Sequence, residues 1–333
     1  MTLEEKVGQM FIVGFDGVEV NDYINSSVIN SQIGGVILMG QNIQNQNQVK
    51  QLTSDLQDLA MSINLKLPLF IAVDQEGGIV ARIKFGSDLG KVAQKDIKSQ
   101  NEAFLVAETR ALELSQLGVN VNFSPVLEII DNSSSFMYNR VFRGGEDNVF
   151  NFGSAMIRAY QDNNIIACPK HFPGHENYSV DSHLTLPVVK MTKSDFEKRL
   201  NFYKNIIDQS NPKMIMVGHI RYQNIDPIYP ASLSEILINE ALRKDVKYNG
   251  LVITDDMKMG ALTNSYTTIE AATKAIKAGN DLLLYVSQID ELQKEIGQIN
   301  TIQKAVVEAV LNGEINVEQI NSSVYRILKA KQF

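Results

Sequence analysis

Short runs of apolar, β-branched residues alternate with longer amphipathic stretches along nearly the whole chain, and that alternation limits the fold more than any other feature. A short apolar run bounded by turn residues reads as a buried strand, whereas apolar residues recurring every three or four positions read as a helix with one buried face. Strands are expected at Phe11 to Phe15, Gly35 to Met39, Pro68 to Val73, Val119 to Phe123, Ile165 to Ala167, Met214 to Val217, Gly250 to Thr254 and Leu282 to Val286. Between them the spacing predicts helices at Val49 to Ile63, Gln100 to Leu117, Val149 to Asn163, Thr192 to Gln209, Ser232 to Lys244 and Thr268 to Ala278, with one helix opening the chain and two closing it. Gly118 and Gly279 stand where helix C-caps are wanted.

Strands alternating with helices imply a parallel sheet, and eight of them in 333 residues point to a (β/α)8 TIM-type barrel. No Pro/Gly/Ser linker or shift of composition divides the chain, so residues 1–333 read as a single domain. An open doubly wound sheet would give a similar pattern. It would usually carry a Gly-rich phosphate turn after an early strand, and IGGVILMG places its glycines around the strand without G-x-G-x-x-G. In a barrel the C-terminal ends of the strands form the active face.

Charge and cysteine usage narrow the partners. Lys and Arg number 31 against 38 Asp and Glu, a net charge of −7, and no basic stripe is present, which argues against nucleic acid. Cys168 is the one cysteine; it excludes an internal disulfide and a Cys-rich metal centre, and its place in IIACPK reads as packing. No apolar stretch approaches the ~20 residues of a membrane-spanning helix. MTLEEKVGQM reads as helix rather than as a signal peptide, so the expectation is a cytoplasmic monomer, or an exported one if an export signal precedes this sequence.

The polar residues that follow the strands are the candidates for chemistry. Asp74, Arg140, Lys170, His171, Asp181, His183, His219 and Asp255 all fall there, and KHFPGHENYSVDSH (170–183) holds three of the four histidines. A zinc pair at His171 and His175 needs a helix, and Pro173 and Gly174 lie between them, so no metal is expected. Asp181 and His183, two apart in a looped segment, suit a carboxylate that orients an imidazole and favours its protonated form, as a general acid near neutral pH requires. Asp255 or Asp256, closing LVITDD, supplies a nucleophile or second carboxylate, and strand spacing does not choose between them. His219, in MVGHI, reads equally well as a hydrogen-bonded core histidine.

The string KHFPGHENYSVDSH, with VDQEGG upstream and ITDDMKMGA downstream, resembles the family 3 glycoside hydrolases, specifically the bacterial β-N-acetylglucosaminidase branch. The likeness runs from TLEEKVGQM to SSVYRILKAK. The resemblance implies a retaining hydrolase without a cofactor, in which Asp255 is the nucleophile, His183 the acid/base on a mobile loop, and Asp181 its partner. Asp74, Arg140, Lys170 and His171 match positions that hold the sugar, and Arg82 and His219 resemble further pocket residues. The implied substrate is a small carbohydrate, terminal β-linked N-acetylglucosamine of peptidoglycan fragments. The alternatives are a β-glucosidase, a phosphorylase acting on similar sugars, or a catalytically silent sugar-binding barrel. The chain departs from the family pattern in having Glu176 and Asn177 after His175, and in a long NRVFRGGED stretch that makes Arg143 a rival to Arg140.

Overall fold

A computed structural model describes residues 1–177, 180–286 and 298–331. Eight strands occupy the expected places: β1 (Phe11–Val13), β2 (Gly35–Leu38), β3 (Phe70–Val73), β4 (Val121–Asn122), β5 (Ile166–Ala167), β6 (Met214–Val217), β7 (Leu251–Asp256) and β8 (Leu282–Tyr285). They stand in the order β5-β4-β3-β2-β1-β8-β7-β6, with every neighbouring pair parallel. The sheet comes round on itself where β5 meets β6. There the Phe172 amide donates to the Met216 carbonyl (2.8 Å), and the amides of Met216 and Gly218 donate to the carbonyls of Pro169 and Phe172 (both 3.0 Å). The expected (β/α)8 barrel is thus the observed architecture, and its seam is the start of the histidine-rich motif.

Helices follow the strands on the outside. Three of them begin at side-chain caps: Ser99 accepts from the Glu102 amide before Gln100–Gln116, Thr192 from Asp195 before Lys193–Ser210, and Thr267 pairs reciprocally with Glu270 before Thr268–Ala278. Gly118 ends its helix at φ +74, and a Cβ there would lie 2.5 Å from Thr53 Oγ1. Two short helices, Asp22–Ile29 and Gly260–Thr263, were not expected; the first is started by the Asn21 side chain. The expected helix at Ser232 to Lys244 is instead a 3₁₀ turn, Ala231–Leu233, and a π-helical segment, Ile236–Asp245.

The strands are buried along their lengths, apart from the last two residues of β7, Asp255 and Asp256, which are half-buried. Each fully buried Val, Leu or Ile contributes roughly 1.5–3 kcal/mol, so the sheet carries the stability and its rim is left to other uses. At the opposite end, buried Asp281 accepts from Arg243 (2.6 Å), Ser323 (2.8 Å) and Arg326 (2.8 Å), tying β8 to the last helix, Val317–Lys331. Among the described residues no helix is long and apolar enough to cross a membrane.

Candidate active site

The C-terminal ends of the strands surround a cavity of about 710 Å³, within the usual range for a small-molecule site. One wall is an alternating array of charge. β3 runs into Asp74, and Glu76 follows in the hairpin formed by Gln75–Gly77 and Val80–Ala81. Lys170 Nζ lies 2.6 Å from Asp74 Oδ1 and 2.7 Å from Glu76 Oε1. Arg140 forks onto Glu76, Nε to Oε2 at 3.0 Å and Nη2 to Oε1 at 2.7 Å. Burial alone would raise the Glu76 carboxyl, but Lys170 and Arg140 outweigh it and hold it at about 2. Burial likewise opposes the Lys170 charge, and Asp74 and Glu76 restore it. Arg82 adds a third cation, Nη2 lying 3.9 Å from Asp74 Oδ2, and its buried Nε has no partner.

Arg143, the rival to Arg140, points elsewhere. It donates to the Tyr138 carbonyl (2.6 Å) and stacks on the Tyr138 ring at 3.5 Å, beside a separate cavity.

Asp255 and Asp256 differ sharply. The pairing of β7 with β8 shifts register between Ile253 and Asp256, a bulge of the kind that re-aims side chains. Asp256 also borders the cavity, but its Oδ1 is tied to the backbone, accepting the amides of Val286 (2.9 Å) and Lys258 (3.1 Å). Burial pushes its carboxyl from 3.8 up to about 7, with Asp255 beside it adding to the rise. Asp255 faces His171, whose Nε2 lies 3.8 Å from its Oδ2. Burial would raise Asp255 too, but the His171 ring outweighs it, and the carboxyl settles at about 2. The two carboxyls therefore differ: Asp255 is held ionised, and Asp256 is pushed toward its protonated form.

A raised carboxyl pKa also has a consequence for stability. Asp256 favours the fold fully below about pH 4, and that contribution is lost as pH rises through about 7, because the folded state disfavours its ionisation. Asp256→Asn keeps an acceptor for both amides and removes the ionisation. Its melting temperature relative to wild type should rise by several degrees between pH 5 and pH 8; an unchanged difference across that range would refute the buried, protonated Asp256.

The opposite rim carries the expected dyad. Asp181 Oδ1 accepts the His183 amide (3.0 Å) and lies 2.7 Å from His183 Nδ1. A carboxylate can only accept, so Nδ1 holds the proton and Nε2 is presented outward. Burial would raise the Asp181 carboxyl, and the His183 amide and ring bring it below its usual value. The segment is seated on the turn after β7: the amides of Gly260 and Ala261 donate to the carbonyls of His183 (3.1 Å) and Ser182 (3.2 Å). A Cβ at Gly260 would meet Leu184 O at 2.6 Å, so glycine permits the docking. Residues 178–179 of the motif lie outside the described residues.

Two expectations need correction. His219 is fully buried and off the cavity wall. Its Nε2 lies 2.9 Å from the Asp256 carbonyl, which only accepts, so Nδ1 accepts from Ser232 Oγ at 2.7 Å. Both nitrogens are thereby spent inside the protein, and burial keeps the ring neutral by lowering its pKa. His219 braces the end of β7 rather than facing a ligand.

The second correction concerns His171 and His175, which Pro173 and Gly174 do not part. Their rings meet edge to face with centroids 5.3 Å apart, because both turn onto Glu128. Glu128 Oε1 lies 2.7 Å from His171 Nδ1 and 3.1 Å from His175 Nδ1, and it accepts the His171 amide at 3.0 Å. These groups offer three metal-ligand atoms within 4.8 Å of one another. Ligands of a tetrahedral zinc stand about 3.4 Å apart for bonds near 2.1 Å, and the 2.7 Å between Nδ1 and Oε1 is a hydrogen bond instead.

Glu76 and Glu128 are the site residues that the sequence reading passed over. Glu76 stands two places from Asp74 in VDQEGG, and Glu128 is a lone acid in the apolar run PVLEII. A carboxylate that close to a strand end, with no polar neighbour of its own, is the signal that marks it. Cys168 is buried and its thiol is pushed well up by burial, in keeping with packing.

Comparison with known proteins agrees with this geometry. The model of the glycosyl hydrolase family 3 N-terminal domain matches residues 2–330. The chain is 33% identical over 318 residues to beta-hexosaminidase A of Pseudoalteromonas piscicida, covering 90% of this chain and 53% of that protein. It is 31% identical over 280 residues to a beta-hexosaminidase of Neisseria meningitidis serogroup C, covering 80% of this chain and 76% of that one. Among solved structures, a glycoside hydrolase family 3 beta-N-acetylglucosaminidase from Paenibacillus sp. superposes with a TM-score of 0.91 at 32% identity, over 100% of this chain and 62% of that one. This chain thus spans about half to two thirds of the length of the first relatives it matches.

Proposed function

The chain belongs to glycosyl hydrolase family 3, and from that premise we propose that it removes terminal, non-reducing β-linked N-acetylglucosamine with retention of configuration. The observation that carries the reading is one cavity holding an ionised Asp255 on its floor, the Asp181–His183 pair on its rim, and the Asp74–Lys170–Glu76–Arg140 array on its wall. The names of the relatives, beta-hexosaminidase and beta-N-acetylglucosaminidase, support it. Peptidoglycan fragments carrying anhydro-N-acetylmuramic acid are the proposed source of the sugar, on the strength of the motif resemblance.

In the first step Asp255 attacks the anomeric carbon while His183 Nε2 gives its proton to the departing oxygen, so the C–O bond breaks as the sugar–aspartate bond forms. Asp181 stabilises the positive ring before that transfer and fixes its tautomer. In the second step the now neutral Nε2 takes a proton from water, whose oxygen attacks the same carbon and releases Asp255. Two displacements on one carbon return the starting configuration. Asp74, Lys170, Arg82, Arg140 and His171 hold the sugar's polar groups; once Glu76 and Asp255 are counted, the three cations Lys170, Arg82 and Arg140 face three carboxylates, so that a neutral ring is preferred to an ionic one.

The test is turnover of nitrophenyl β-N-acetylglucosaminide beside the matching β-glucoside. A wall built to hydrogen-bond the acetamido group leaves buried polar groups unpaired when that group is missing. Discrimination in kcat/KM should then reach about 10²- to 10⁴-fold. Comparable constants for the two substrates would point to a β-glucosidase, and no turnover of either to a binding barrel.

A further inference from the structure

Glu128 is fully buried at the back of the site, lies outside the cavity lining, and has no part in the steps above. It is carried past the end of β4 beside the end of β5, where the Leu127 amide donates to the Lys170 carbonyl at 2.7 Å. Its neighbours make an unusual demand. Oε1 takes three donors: the His171 amide, His171 Nδ1 and His175 Nδ1. Oε2 is buried with no partner. A buried carboxylate left half-satisfied is costly unless a positive charge stands against it. His175 does not supply one, since burial lowers its pKa and its Nε2 is buried with no partner. His171 is placed to do so, and its other nitrogen already faces a second carboxylate, Asp255, at 3.8 Å.

We propose that Glu128 is the positioning residue of the nucleophile: by holding the proton on His171 Nδ1 it sets a second proton, on Nε2, against Asp255. Glu128, His171 and Asp255 form a carboxylate–imidazolium–carboxylate line running from the protein interior to the cavity floor. The line does two things for the reaction. It keeps Asp255 ionised, and it turns Oδ2 toward the imidazolium while Oδ1 accepts the Asp256 amide at 2.8 Å, so that the carboxylate is held in one orientation. Other charges reach this line as well: Arg140 acts on Glu128, His175 stands behind the ring, and His219, Asp256 and Lys170 act on Asp255. Of these Arg140 is forked onto Glu76, His219 is neutral and hydrogen-bonded to backbone, and Lys170 is committed to Asp74 and Glu76. The inference rests on Asp255 being the nucleophile, as proposed above, and the first measurement below does not.

That measurement is ¹⁵N NMR of the histidine rings in the wild-type protein, which has four histidines, with His171 assigned by its absence from His171→Asn. At pH 8, where a free imidazole of ordinary pKa about 6.5 is neutral, both His171 nitrogens should still carry protons, the Nδ1 proton strongly deshielded. A neutral ring, or a proton on Nε2 alone, overturns the proposal whether or not the protein turns out to be a glycosidase.

The second measurement is the pH profile of kcat/KM on nitrophenyl β-N-acetylglucosaminide. Glu128→Gln should lose about 10- to 100-fold, the scale of residues that orient a site from behind. Its acid limb should also move up by about one pH unit or more, because Asp255 loses the positive partner that keeps it ionised. Glu128→Asp, which keeps the charge, should leave the limb where the wild type has it. A folded Glu128→Gln with lowered activity and an unmoved acid limb would reduce Glu128 to a packing role; if that variant does not fold, the wild-type NMR decides.

Discussion

Asp255→Ala should remove turnover of nitrophenyl and natural N-acetylglucosaminides alike, by roughly 10⁴-fold or more, with the fold intact. The loss follows from chemistry that no neighbour can replace. Asp256, the nearest carboxyl in sequence, is pinned to two backbone amides and held at about 7 by burial, so it is neither aimed nor fully ionised. Without a nucleophile no sugar–enzyme intermediate forms, and removing one member of a catalytic unit costs about as much as removing the unit. The loss should therefore be independent of the leaving group. A variant that kept, on nitrophenyl substrates, even a tenth of wild-type kcat/KM would show that another group attacks.

His183→Ala should behave differently, and the difference lies in the leaving group. Nitrophenolate departs without a proton, so the first step survives, while the second, which needs the imidazole to activate water, slows by about 10²- to 10⁴-fold. A burst of nitrophenol equal to the enzyme concentration should precede a slow steady state. A natural sugar leaves as a poor alkoxide, so its first step fails too and no burst appears. Asp181→Asn should give a weaker form of the same pattern, since His183 loses its tautomer and charge partner but not its ring. Equal losses on both substrates, with no burst, would remove His183 from the acid/base role.

The strands were legible because each is a short apolar run bounded by turn residues, and such runs have few alternatives once helices separate them. The helix Asp22–Ile29 was missed because it is only two turns long: its buried residues Tyr23, Ile24, Ser27 and Val28 follow a helical spacing, but too briefly to stand out. At the site, residues with a recognisable spacing, such as Asp181 and His183, came through directly. Asp255 and Asp256 did not separate on spacing, since both border the cavity and a bulge at the end of β7 decides which of them faces His171 and which is tied to backbone amides, and a bulge leaves no mark in a strand pattern. His219 read ambiguously for a physical reason: a histidine closing an apolar strand looks the same whether its partners are a ligand or Ser232 and a backbone carbonyl.

Glu128 shows the limit most clearly. The 43 positions that separate it from His171 are closed only by the pairing of β4 with β5 and its continuation at Val126 and Lys170, so no local pattern joins them. The same pairing overturned the reasoning about His171 and His175, which asked whether a helix could align the rings. A shared carboxylate from a neighbouring strand brings them together without one.

The measurement closest to the central claim is mass spectrometry of His183→Ala, quenched in acid during the slow phase with nitrophenyl β-N-acetylglucosaminide and then digested. The account predicts that the peptide containing Asp255 gains one N-acetylhexosamine, and that fragmentation places it on Asp255. Release of nitrophenol with that peptide unmodified, or with the sugar on Asp256, would contradict it.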